Sequence, residues 1–177
     1  MAFIDKTGKS KSRTIRIDIA FNDELEKEAE DQGISSNKLI ESIIDNYLNN
    51  ERWAIKEKKL AIDPITIQSL LEELDEDTVT ELGTKLGSVV PREGFMLRGL
   101  PLTEESARMF ILMVLGESGH WFDVSYHKHS RAYFYVRSSF DGKWVSFIEA
   151  YLTAFYMVNF SKKIECHRVG DNLQILL

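Results

Sequence analysis

The stretch "KSRTIRIDIAF" constrains this chain more than any other. Ile15, Ile17 and Ile19 fall on one side of an extended chain by the two-residue period, and Thr14, Arg16 and Asp18 fall on the other. A helix-forming sequence follows at once, with no second strand beside it. A lone two-faced strand cannot hold itself together in water. Its partner lies elsewhere in the chain or in another copy of it.

Two helices are expected after the strand. Asn22 or Asp18 can cap the first, and Phe21, Leu25 and Ala29 give it a narrow apolar stripe. Gly33 ends it as a C′ residue would. Ser35 caps the second, whose stripe is Ile34, Leu39, Ile40, Ile43, Ile44, Tyr47 and Leu48. About forty residues cannot bury that much apolar surface alone. A dimer is the economical solution, with the two strands paired into an antiparallel ribbon over interlocked helices.

Residues 13–48 resemble the ribbon-helix-helix family of Arc, MetJ and CopG repressors. The resemblance rests on the alternating basic strand, the strand-helix-Gly-Ser-helix order, and Ser35 two residues after Gly33. It implies a double-stranded DNA partner, with the outward ribbon face in the major groove. That face holds Thr14, Arg16 and Asp18, with Ser12 beside them. Arg16 can read guanine O6 and N7, and Thr14 can donate to a base or touch a thymine methyl. Asp18 has two readings, a base contact in the groove or a helix cap. The family also implies a phosphate clamp at the second helix's start, from Ser35, Ser36, Asn37 and Lys38. Lys6, Lys9, Lys11 and Arg13 supply sequence-independent phosphate contacts.

Charge supports a basic N-terminal end. The 177 residues carry a net charge of −6, yet residues 1–22 hold five cations against Asp5 and Asp18. Between Ala61 and Thr84 there are seven acids and no Lys or Arg. The single cysteine, Cys166, excludes an internal disulfide framework. No apolar h-region opens the chain and no apolar run reaches a span's length. A cytoplasmic protein with no membrane partner is the expectation.

Domain organisation is read as a basic arm over 1–12, a ribbon-helix-helix domain over 13–50, a helical linker over 51–90 and an α+β regulatory or oligomerisation domain over 91–177. In the last, "GFMLRGLPL" reads as a strand and Thr103 caps a helix ending near Gly116–Gly119. "HWFDVSYHKH" and "RAYFYVRSSF" read as a hairpin, "KWVSFIEAYLTAFYMVNFS" as an apolar helix, and "KKIECHRV" with "LQILL" as a last hairpin. The order β-α-β-β-α-β plus one strand predicts a ferredoxin-like α+β sandwich. Its open sheet face is expected to carry Trp121, Asp123, Ser125, His127, Tyr133, Tyr135 and Arg137, a ligand or subunit surface.

His127 and His129 stand two apart and can converge on a metal ion, with His120, Cys166 and His167 as further candidates. The domain order is similar to that of nickel-responsive repressors, although no Cys follows the His-x-His within ten residues. No catalytic motif stands out, so no enzyme and no organic cofactor are expected. The reading is a dimeric or tetrameric transcription regulator, a repressor, with a domain that oligomerises or senses a small-molecule effector. An antitoxin and a low-specificity architectural DNA-binding protein are its alternatives.

Overall fold

The computed structural model describes residues 4, 8–128, 130–138, 140 and 142–177. Lys6 and His129, singled out above, lie outside the described residues. The chain divides into two compact units, Ile4–Ile55 and Lys56–Leu177.

In the first unit, α1 spans Ile19–Asp31 and α2 spans Ser36–Asn46. Asp18 starts α1, its carboxylate accepting from Ala20 N at 3.0 Å. Gly33, at φ 65°, stops it. Ile34 N donates to Ala29 O and Gly33 N to Glu30 O, the bond pair that satisfies the last carbonyls of a helix. Ser35 then caps α2 through Lys38 N at 3.2 Å. A π-helical turn over Tyr47–Glu51 carries α2 into a short α3, Arg52–Lys56.

The second unit is mixed helix and sheet. α4, Pro64–Glu72, and α5, Glu76–Arg98, begin at Asp63 and Asp75, each of which accepts from a backbone N–H and a hydroxyl of the Thr three residues on. Those bonds to the charged form hold both carboxyls below the usual carboxylate range. α6, Glu104–Met109, is capped by Thr103 and runs on as a π-helix to Glu117. β1, Asp123–Lys128, and β2, Ala132–Arg137, form a hairpin. α7, Gly142–Phe160, leads to the second hairpin of β3, Glu165–Val169, and β4, Asn172–Leu176. The sheet is antiparallel throughout, in the order β1-β2-β4-β3.

Two expectations fail here. "GFMLRGLPL" is not a strand: α5 runs to Arg98 and stops at Gly99, φ 62°. Gly83, Gly87, Pro91, Phe95 and Arg98 are all buried, so helical spacing on one face continues through the stretch. The neighbours of β2 in the sheet are β1 and β4. The expected linker, 51–90, instead supplies α4 and most of α5, and both pack on α7 within the second unit.

α7 is buried nearly all round. Phe147, Ile148, Tyr151, Leu152 and Phe155 join Phe134, Val136, Leu173 and Ile175 of the sheet in one core. α5 lies unusually close to α7. A Cβ on Gly83 would sit 2.6 Å from Phe147 O, and one on Gly87 would sit 2.7 Å from Tyr151 Cα. The buried Arg98 guanidinium is paired, with Nε 3.2 Å from Glu57 Oε1.

Candidate nucleic-acid interface and open sheet face

Residues 9–18 form no strand in the single chain. Lys9, Lys11, Arg13, Thr14 and Arg16 are exposed, and Ile17 is half-buried. Asp18 is a helix cap, the second of its two readings. At the start of α2 the Ser35 hydroxyl takes the Lys38 N–H. Ser36 and Asn37 occupy the first two helical positions, whose N–H groups have no partner within a helix. Lys38 Nζ is held 3.1 Å from Glu41 Oε2, which offsets its charge.

The apolar stripe expected as a core is uncovered in one chain. Ile19 is 79% exposed, Phe21 68%, Ile15 60% and Ile44 53%. Ile43 and Tyr47 are exposed beside them. Ala29 and Leu39 are the buried apolar residues of this unit among the described residues.

In the second unit the sheet has two unlike faces. Phe134, Val136, Leu173 and Ile175 turn toward the helices. Register aligns three rows on the other face: His127–Tyr133–Leu176–Glu165, Ser125–Tyr135–Gln174–His167 and Asp123–Arg137–Asn172–Val169. The His127 ring stacks on Tyr133, with centroids 4.9 Å apart, and its Nε2 lies 2.9 Å from Ser125 Oγ. Arg137 Nη2 lies 2.8 Å from Asp123 Oδ2, and Arg131 Nη2 lies 3.1 Å from Glu165 Oε1. These pairs raise the Arg137 pKa and lower that of Glu165. A groove of about 230 Å³ lies on this face, lined by His127, Tyr133, Tyr135, Val169, Asn172 and Gln174.

Trp121 does not belong to that face. It precedes β1 and packs edge-on against Trp144 and Tyr151, while its carbonyl accepts from Trp144 Nε1 at 2.8 Å. Strand alternation carried back two residues beyond the start of β1 put it outside. Asn172, Gln174 and Val169 were not singled out from the sequence. The alternation of "NLQIL", with Leu173 and Ile175 inward, carries that signal.

Among the described residues no three His, Cys, Asp or Glu side chains cluster as a metal requires. Cys166 and His167 are adjacent in the chain but point to opposite faces. Cys166 Sγ lies 4.0 Å from Thr153 Oγ1 on the helix side, and burial pushes its thiol pKa up to about 11. No described helix is long and apolar enough to cross a membrane. Comparison with protein-family models, with curated proteins and with solved structures found no match.

Proposed function

We propose that the chain is a sequence-specific DNA-binding transcription regulator of ribbon-helix-helix type, a repressor, acting as a dimer or a dimer of dimers. The observation that carries this reading is the exposure of Ile15, Ile19, Phe21, Ile43, Ile44 and Tyr47 in a lone chain. A strand with alternating isoleucines and a helix with an apolar stripe need a cover, and a second copy offers both a strand and a stripe of matching shape. Pairing the two strands turns Thr14 and Arg16 outward on the ribbon. Ser35, Ser36 and Asn37 then offer N–H groups to flanking phosphates, and Lys9, Lys11 and Arg13 add charge. Asp18 serves this unit as a cap. The second unit, a sheet covered by helices on one face, is the sensing or oligomerising part. Lacking the expected first strand, it is an α+β unit with a four-stranded antiparallel sheet.

The test is a salt titration of binding to a labelled duplex from the region upstream of the chain's own gene, against random duplex, with mass by light scattering. Tight, salt-sensitive binding by a dimer or tetramer that prefers its own region supports the proposal. Absence of binding to either duplex at low salt refutes it. Equal affinity for both marks a low-specificity architectural protein instead, and a small protein co-purifying from the native host marks an antitoxin.

A further inference from the structure

We propose that the groove on the open sheet face binds an uncharged purine or pyrimidine base, free or as its nucleoside. This gives a ligand class to the sensing role proposed above. The binding itself needs neither DNA nor the first unit.

The walls are aromatic. Tyr133, whose ring already stacks on His127, and Tyr135 sit two apart on one strand face and both line the groove. Tyr135 is 42% exposed, so its ring is available for stacking. The polar groups suit a base edge. Gln174 is the register partner of Tyr135, and Asn172 stands two residues before it on the same face. Neither amide, nor the Tyr135 hydroxyl, makes a hydrogen bond among the described residues. A side-chain amide presents a donor and an acceptor in one plane, the pattern that pairs two-pronged with a base edge. Size limits the ligand further. About 230 Å³ is below the roughly 300–1,000 Å³ of drug-sized sites, which suits a base seated in the groove with any ribose outside it.

Charge decides between a base and a polynucleotide. Arg137, in the row of Asn172, is paired with Asp123, and Arg131, just before β2, is paired with Glu165. A strand of phosphates needs unpaired cations along its path. An uncharged base needs none.

The experiment uses the full chain without DNA. Adenosine, guanosine, cytidine and uridine are titrated by ligand-observed and chemical-shift NMR, with the matching 5′-monophosphates, an oligouridylate and phenylalanine alongside. Saturable binding of at least one nucleoside is expected, with a dissociation constant of about 10 µM to 1 mM for so small a ligand. Tyr135→Ala should weaken it about tenfold or more, whereas Tyr135→Phe, which keeps the ring, should weaken it about threefold at most. Gln174→Ala should change the order of preference among the bases. The proposal is overturned by no saturable binding of any nucleoside at millimolar concentration. It is also overturned by equal or tighter binding of phenylalanine or the oligouridylate, or by binding that Tyr135→Ala leaves unchanged. None of these outcomes alters the DNA titration, so the two readings fail separately.

Discussion

Gly87→Ala tests the close backbone contact between α5 and α7. In a solvated helix this change stabilises by about 1 kcal/mol, because alanine loses less backbone entropy. At Gly87 the new methyl would overlap the Tyr151 carbonyl oxygen and lie 2.7 Å from Tyr151 Cα and 2.8 Å from Tyr151 C, inside the 3.0 Å that Cβ atoms keep. Every obstructing atom belongs to the α7 backbone, so no rotamer change relieves the clash. The helices would have to part by about 1 Å, and a gap of that size forfeits a quarter to a half of each contact well along the seam. Overpacking costs about 1–3 kcal/mol even where side chains can yield. Here the cost should sit at or above the top of that range. Gly94→Ala is the matched control: same helix, but its methyl meets only Phe110 Cε2, at 3.7 Å. It should be neutral or stabilise by up to about 1 kcal/mol. The assay is urea unfolding followed by Trp121 and Trp144 fluorescence in a Trp53→Phe background, so that the second unit alone reports. With m near 2 kcal/mol/M, the two midpoints should differ by about 1 M or more. A Gly87→Ala midpoint equal to that of Gly94→Ala would refute the close-packing argument.

Three further outcomes are expected. Arg16→Ala should relax base preference and cost about 1–3 kcal/mol of DNA binding, whereas Lys11→Ala should weaken all sequences alike and lower the salt slope by about one; equal effects in a competition titration would show that Arg16 only touches phosphate. Lys143→Met should destabilise the second unit by about 1–3 kcal/mol in the same urea assay, since its ammonium donates to the carbonyls of Leu71, Glu72 and Leu74 at 3.1, 3.0 and 2.7 Å, where α4 ends. Cys166, with its pKa raised to about 11 by burial, holds less thiolate than a free thiol at any pH below that value; at pH 8 its alkylation should run roughly a hundredfold slower than that of free cysteine and speed up as pH rises, and a rate equal to free cysteine would disprove the burial argument.

Much of the second unit was legible because its signals are local. β1 and β2 are rich in aromatic and β-branched residues, Gly170 at φ 60° turns the last hairpin, and Thr103 caps its helix as its neighbours suggest. What failed was the extent of α5. Gly83, Gly87, Pro91 and Gly94 are the residues that usually punctuate loops, and they hid the continuation of one helix from Glu76 to Arg98. Two of those glycines are present because α7 leaves no room for a side chain, a tertiary cause that no window of sequence reveals. The strand order escaped for a related reason. Nothing local in "NLQIL" says that β4 pairs with β2 as well as with its hairpin partner β3.

The first unit poses the opposite problem: its pattern is plain, and one chain does not satisfy it. Ala29 and Leu39 are the apolar residues buried there among the described residues, while Ile15, Ile19, Phe21, Ile43, Ile44 and Tyr47 face outward. Covering a large apolar side chain fully contributes about 1.5–3 kcal/mol. Six of them, each about half to four-fifths exposed and counted twice over in a symmetric pair, contribute roughly 11–21 kcal/mol, enough to offset an association cost of about 4–15 kcal/mol. A unit of about fifty residues is marginal without such a cover. On the proposed reading its folding and its pairing are therefore one equilibrium, and its stability depends on chain concentration. Thermal unfolding followed by Trp53 fluorescence in a Trp121→Phe, Trp144→Phe background should show a midpoint that climbs as concentration is raised over two decades. Ile44→Glu, which sets a carboxylate in the stripe, should lower that midpoint at every concentration while leaving the second unit's urea midpoint unchanged. A Trp53 transition independent of concentration would mean that the stripe is covered by something other than a second copy, and the ribbon, with its outward Thr14 and Arg16, would have no basis.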